Sequence, residues 1–122
     1  MKKFRILIVE DSSSFRQILK ESLETSFPMA TIYEATDGQE ALRQFEAFSP
    51  DLILMDINLP GENGLELTKK IKSAHPNVSI LVVTNHDIPE YREAALQCGA
   101  DRFLVKGSLC STTLKELVSS CS

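Results

Sequence analysis

No stretch of the sequence approaches the roughly 18 consecutive apolar residues of a membrane span. The opening Met1-Lys2-Lys3-Phe4-Arg5 has the charge of a secretion signal. The apolar run behind it ends at Val9 and meets Glu10-Asp11, which is too short for a signal's hydrophobic segment. No membrane association is expected, and the expected compartment is the cytoplasm. There is no excess of basic charge: 17 acidic against 13 basic side chains leave a net charge of −4. A nucleic-acid module gathers Lys and Arg on one face, so direct nucleic-acid binding by this chain is not expected. Cysteine is scarce and unpaired in pattern. Cys98, Cys110 and Cys121 stand 12 and 11 residues apart with no C-x-x-C, which argues against a disulfide framework and a zinc site. They read as three small apolar residues in reduced form. There is no internal linker, repeat or low-complexity segment. With 122 residues, the chain is the size of one domain, taken here as 1–122.

What is present is an alternation. Ile6-Leu7-Ile8-Val9, Leu52-Ile53-Leu54-Met55 and Ile80-Leu81-Val82-Val83 are unbroken apolar runs, the mark of strands covered on both faces. Phe103-Leu104-Val105 is a shorter run, and the more polar Thr31-Ile32-Tyr33 suits an edge strand. Between them the apolar period becomes helical. Phe15, Ile18, Leu19 and Leu23 form one stripe, and Leu42, Phe45 and Phe48 a second. Leu67, Ile71 and Ala74 form a third, and Leu114, Leu117, Val118 and Cys121 a fourth. Tyr91, Ala94, Ala95 and Cys98 have the spacing but small side chains, so this helix is expected to be the least firmly held. Capping-box spacings at Ser14/Gln17, Asp37/Glu40, Asn63/Glu66, Asp87/Glu90 and Thr113/Glu116 mark helix starts. Gly99 marks a helix end, and Pro28, Pro50 and Pro76 fall in connections. The order is β-α repeated five times, which predicts an α/β fold with a doubly wound parallel sheet and helices on both faces.

The polar residues fall where such a sheet places ligands, beyond the C-terminal ends of its strands. Glu10-Asp11 follow the first run, Asp56 the third, Thr84 the fourth and Lys106 the fifth. The second run exits into Glu34-Ala35-Thr36-Asp37, which at a sheet edge would lie off the site. Two carboxylates 4 Å apart repel by about 4 kcal/mol at an effective dielectric near 20. Three, met by one ammonium, call for a hard divalent cation with oxygen ligands, Mg²⁺ or the similar Mn²⁺. A calcium loop beginning at Asp56 matches Asn58 and Gly61 but fails at Pro60 and Leu67. Set against this, Glu10-Asp11 taken alone would be a solvated helix start favoured by the helix dipole, and Phe103 could be plain core.

Taken together, Ile8-Val9-Glu10-Asp11, the turn Asp56-Ile57-Asn58-Leu59-Pro60-Gly61, Thr84 after Leu81-Val82-Val83, and Lys106 after Leu104-Val105 resemble a response-regulator receiver domain of two-component signalling, CheY-like, from about Phe4 onward. The resemblance implies a flavodoxin-like five-stranded sheet of order 2-1-3-4-5. It implies that Asp56 is the phosphoacceptor, that Glu10, Asp11, Asp56 and the backbone carbonyl of Asn58 hold Mg²⁺, and that Lys106 and Thr84 contact the phosphoryl group. Thr84 and Phe103 would be the switch pair. The domain would be a regulatory phosphoacceptor, not a turnover enzyme. Its phosphodonor would be a phosphohistidine on a sensor histidine kinase or a phosphotransfer protein, and its readout face would carry Tyr91, Arg102 and Phe103. A homodimer and a DNA-binding output domain beyond residue 122 are compatible extensions, as is a stand-alone phosphorelay receiver. Three positions depart from the common pattern. Gly107 stands where proline is usual, which bears on a cis peptide there. Asn85 stands where alanine or glycine is usual, which bears on access to Asp56. Phe103 lacks the hydroxyl of the frequent tyrosine. Asn85 keeps open an alternative, a pseudo-receiver that only binds a protein partner. A hydrolase working through a phosphoaspartate is disfavoured because Asn58 replaces the second aspartate of a D-x-D pair. Of the two histidines, neither is paired, and His86 is placed at the site's rim.

Overall fold

Runs that are apolar on both faces must be covered on both faces, and the chain meets that demand with a central parallel sheet. The computed structural model describes residues 4–85, 88–108 and 111–121. Strands β1 (Arg5–Val9), β2 (Thr31–Ala35), β3 (Leu52–Asp56), β4 (Ser79–Thr84) and β5 (Arg102–Val105) lie in the order β2-β1-β3-β4-β5, all parallel. Strands β1, β3 and β4 are almost wholly buried. The edge strands β2 and β5 are only partly so, in keeping with their more polar sequence. The helices are α1 (Ser13–Ser26), α2 (Gly38–Phe48), α3 (Gly64–Ala74), α4 (Pro89–Gln97) and α5 (Ser111–Cys121). This is the predicted doubly wound architecture.

Strand alternation splits the core in two. Leu7, Val9, Ile53, Met55, Ile80 and Val82 face α2, α3 and α4 through Phe45, Leu67, Ile71 and Ala95. Ile6, Ile8, Leu52, Leu54, Leu81 and Val83 face α1 and α5 through Leu19, Leu23, Leu114 and Val118. Helix α4 buries only Ala95 fully, as its small side chains foretell. Among the described residues no helix is long and apolar enough to cross a membrane.

The helix starts follow the sequence in part. Asp37 caps α2 by accepting from Glu40 N at 2.8 Å, and Asn63 caps α3 by accepting from Leu65 N at 2.7 Å. Ser14 does not cap α1. Ser12 does, accepting from Phe15 N, while Gln17 turns to Glu21 along the exposed face. Thr113 already lies inside α5 and is not its cap. Helix α4 is entered through Ile88 and Pro89 with no side-chain cap bond, and the Asp87 reading, like His86, lies outside the described residues. Gly99 ends α4 at φ +98°, as its position predicts.

The helical stripes are narrower than the sequence suggests. Ile18 is 52% exposed, because Leu19 and Leu23 take the core face of α1. Ala74 is exposed, and Phe48 is partly exposed, stacked on Tyr33 with ring centroids 4.2 Å apart. Cys98 is a half-buried free thiol whose pKa is raised, first by desolvation. The side chains of Cys110 and Cys121 are not among those described. No peptide bond of the described residues is cis, the one after Lys106 included.

Two short features precise the rim of the sheet. Asn58–Leu59 pairs antiparallel with Glu62–Asn63 in a small hairpin between β3 and α3, turning at Gly61 with φ +73°. Lys106–Ser108 forms a single 3₁₀ turn directly after β5.

Candidate functional site

Each strand's end fixes one polar group. Glu10 is the first residue past β1, and its N–H donates to Ala35 O at 3.0 Å, prolonging the ladder with β2. Asp56 is the last residue of β3 and Thr84 the last of β4, and the register sets Asp56 beside Val83. Lys106 opens the turn after β5.

Glu10 is 1% exposed and Asp56 4%, whereas Asp11 is exposed. One carboxylate oxygen from each of the three lies within 4.8 Å of the other two. Lys106 Nζ reaches Glu10 Oε1 at 2.7 Å and Asp56 Oδ2 at 3.5 Å. Ser12 N donates to Glu10 Oε2 at 3.1 Å, and Asn58 N to Asp56 Oδ1 at 3.3 Å.

Burial dominates the electrostatics. Desolvation, aided by the charge of Asp56, pushes the Glu10 carboxyl from 4.5 up to about 7, although Lys106 and the Ser12 N–H pull it down. A buried carboxylate that its own partners leave so basic is short of positive charge. Glu10 Oε1 shows the same shortage: it is ion-paired to Lys106, yet it receives no well-directed hydrogen bond among the described residues. Three carboxylates that each bring an oxygen within 4.8 Å of the other two, offset by one ammonium, fit a hard divalent cation.

The structure therefore brings together Glu10, Asp11, Asp56 and Lys106, as the sequence predicts, and sets Thr84, fully buried, on the same rim. Asn58 stands next to them through its N–H. Asn85 lies exposed beyond β4. Phe103 is half-buried against the α2–α4 side of the core, with the Arg92 guanidinium 4.7 Å from its ring centroid.

Three contributors were not legible in the sequence. Ser12 supplies an N–H to Glu10. Arg16 Nη1 donates to the Glu10 carbonyl at 2.9 Å while Nε pairs with Glu34 at 3.1 Å, which anchors the β1 exit to β2. The ring of Phe15 lies 4.5 Å from Lys106 Nζ. A cation in the first turn of a helix runs against the helix dipole, and that anomaly was the available signal for Arg16.

Comparison with known proteins agrees with this geometry. Residues 6–118 match the family model described as the response regulator receiver domain. The chain is similar to the transcriptional regulatory protein DegU of Brevibacillus brevis, 36% identical over 104 residues, which are 85% of this chain and 44% of that one. It is also similar to the chemotaxis protein CheY of Halobacterium salinarum, 35% identical over 102 residues, 84% of this chain and 83% of that one. Among solved structures, the signal receiver domain of a DNA-binding response regulator from Colwellia psychrerythraea superposes with a TM-score of 0.91 at 28% identity, covering 97% of both chains. The Halobacterium protein apart, the chain spans about half the length of the curated relatives it matches.

Proposed function

The chain belongs to the response regulator receiver domain family, whose members are regulatory phosphoacceptors and not turnover enzymes, and from that premise we propose that Asp56 is the residue phosphorylated. The observation that supports it most is the meeting of Glu10, Asp11 and Asp56 oxygens within 4.8 Å, with Lys106 reaching two of the three side chains. The donor is a phosphohistidine of a partner histidine kinase or phosphotransfer protein. An Asp56 oxygen attacks phosphorus, the new O–P bond forms as the P–N bond breaks, and the histidine leaves with the bonding pair.

Glu10, Asp11, Asp56 and the Asn58 carbonyl would hold Mg²⁺ or Mn²⁺. Bound there, the ion supplies stabilisation of the charge that develops on the phosphoryl oxygens. Lys106 adds the chain's own positive charge at the same place. Thr84 hydrogen-bonds the transferred group, and Phe103 responds by repacking. The product is a mixed anhydride that water hydrolyses, so the signal decays. Turning a mostly-off population into a mostly-on one requires up to about 5.5 kcal/mol of differential interaction.

Residues 1–122 form one receiver domain in this reading, in the cytoplasm. The DegU and NarL relatives are transcriptional and nitrate/nitrite response regulators about twice as long. They support a DNA-binding output domain beyond residue 122, with the α4–β5–α5 face of Tyr91, Arg102 and Phe103 as the readout surface and the contact of a homodimer.

The test is an Mg²⁺ titration followed by amide NMR, then addition of a small phosphodonor. The expected result is saturable shifts at Glu10, Asp11 and Asp56, then one phosphoryl group per chain. Absence of both would identify a pseudo-receiver that only binds a protein partner.

Burial of Glu10 also sets a pH dependence. Because its folded pKa of about 7 exceeds the ordinary 4.5, the folded chain binds more protons than the unfolded chain between those values. Stability from this group is full at low pH and lost as pH rises through 7. The thermal midpoint without Mg²⁺ is expected to fall between about pH 5 and about pH 8, and Glu10→Gln to flatten that fall. Mg²⁺ is expected to raise the midpoint more at the alkaline end, where it meets no competing proton. An equal rise at both ends would dissociate Glu10 from the metal site.

A further inference from the structure

Among the described residues, three groups hold the Lys106 ammonium: Glu10 Oε1 at 2.7 Å, Asp56 Oδ2 at 3.5 Å and the Phe15 ring at 4.5 Å. The residue after the lysine brings no side chain to assist them. Gly107 follows it, and a Cβ built there meets no atom within 4 Å. The two carboxylates are also the groups that a bound cation and an arriving phosphoryl group would claim. The ring is the one neighbour of the three that neither would compete for.

We propose that Phe15 is a positioning residue for Lys106, keeping its ammonium beside Asp56 when the carboxylates are engaged elsewhere. The proposal rests on the phosphoacceptor reading above. The ring is well placed for the role. It stands in the first turn of α1, where Ser12 Oγ accepts from the Phe15 N–H, and it packs against the α1–α5 side of the core. The lysine side chain is only 11% exposed, and a desolvated ammonium over an aromatic face is held more firmly than an exposed one. The ring face attracts the cation through its quadrupole. An aliphatic side chain of similar bulk would fill the space without that attraction.

The experiment compares Phe15→Leu, Phe15→Tyr, Lys106→Met and the double variant Phe15→Leu/Lys106→Met. The readouts are the phosphorylation rate with acetyl phosphate and Mg²⁺, and the proton shift of the Lys106 ε-methylene. Phe15→Leu is expected to slow phosphorylation about five- to tenfold and Phe15→Tyr to leave it near the parent rate. In the Lys106→Met background, Phe15→Leu should change the rate less than about twofold, because the group it positions is gone. The ε-methylene protons should be shifted upfield by the ring in the parent and the Tyr variant, and return to the ordinary lysine position in Phe15→Leu. An unchanged rate in Phe15→Leu, or an equal loss with and without Lys106, would overturn the proposal while leaving the receiver reading intact. If the parent chain takes up no phosphoryl group, the phosphoacceptor reading fails and the methylene shift alone decides: an ordinary value in the parent overturns the positioning role, and a ring-shifted one upholds it.

Discussion

Asp56→Asn is expected to abolish phosphoryl uptake from a small phosphodonor, lowering the rate on the order of a thousandfold or more. A carboxamide has nearly the same shape, and its oxygen can still accept from Asn58 N, so the fold has no reason to change. What it lacks is the charge that makes the oxygen a nucleophile. The neighbouring acids are poor substitutes. Glu10 is ion-paired to Lys106 at 2.7 Å, while Asp11 is exposed. Intact-mass measurement with the donor and Mg²⁺ checks this. Added phosphoryl mass on the variant at the parent rate would remove Asp56 from the role.

Gly64→Ala is expected to have the largest structural effect of any glycine-to-alanine change in this chain. A Cβ at residue 64 would overlap the Asp56 carbonyl oxygen and stand 2.8 Å from its carbon. Both are backbone atoms of the strand end that presents the Asp56 side chain, so neither can swing aside. Gly64 N donates to Ile57 O at 2.7 Å and Asn63 caps the helix that begins there, so the segment is tied from both sides. The variant should lose about 2–4 kcal/mol of stability, the range of severe backbone and packing clashes. Mg²⁺ binding should weaken with it, because Asp56 and the Asn58 hairpin are displaced together. Denaturant unfolding and an Mg²⁺ titration check the two halves. By contrast, Gly107→Ala meets no atom within 4 Å and serves as the benign control.

The site was legible because an open parallel sheet places its ligand groups immediately after apolar runs, and such runs are easy to see. Glu10, Asp11, Asp56, Thr84 and Lys106 each end or follow one. The supporting groups were hidden for a different reason. Phe15 sits on the apolar stripe of α1 and reads as core, and its second role needs Lys106, 91 positions away, to be visible. Arg16 belongs by spacing to an exposed face, yet its guanidinium turns back over the helix start to the Glu10 carbonyl.

Local ambiguities had local causes. Ser12, Ser13 and Ser14 have equal capping chemistry, and only the direction in which the chain leaves β1 selects Ser12. Thr113 has a capping spacing but lies two residues inside α5. Ile18 shares the helical period of Leu19, but α1 buries a narrow stripe against Leu114 and Val118, and one residue's rotation takes Ile18 out of it. The hairpin of Asn58–Leu59 with Glu62–Asn63 is too short to leave any periodicity.

The most direct test of the central claim, that Asp56 carries the phosphoryl group in a metal-dependent carboxylate pocket, is chemical trapping. Borohydride reduces an acyl phosphate to the alcohol, so a phosphorylated aspartate becomes homoserine. After treatment with acetyl phosphate and Mg²⁺, then borohydride, peptide sequencing by mass spectrometry should find homoserine at position 56, and none when Mg²⁺ is withheld. Homoserine at position 11, reduction of Glu10 in its place, or labelling that ignores Mg²⁺ would contradict the account.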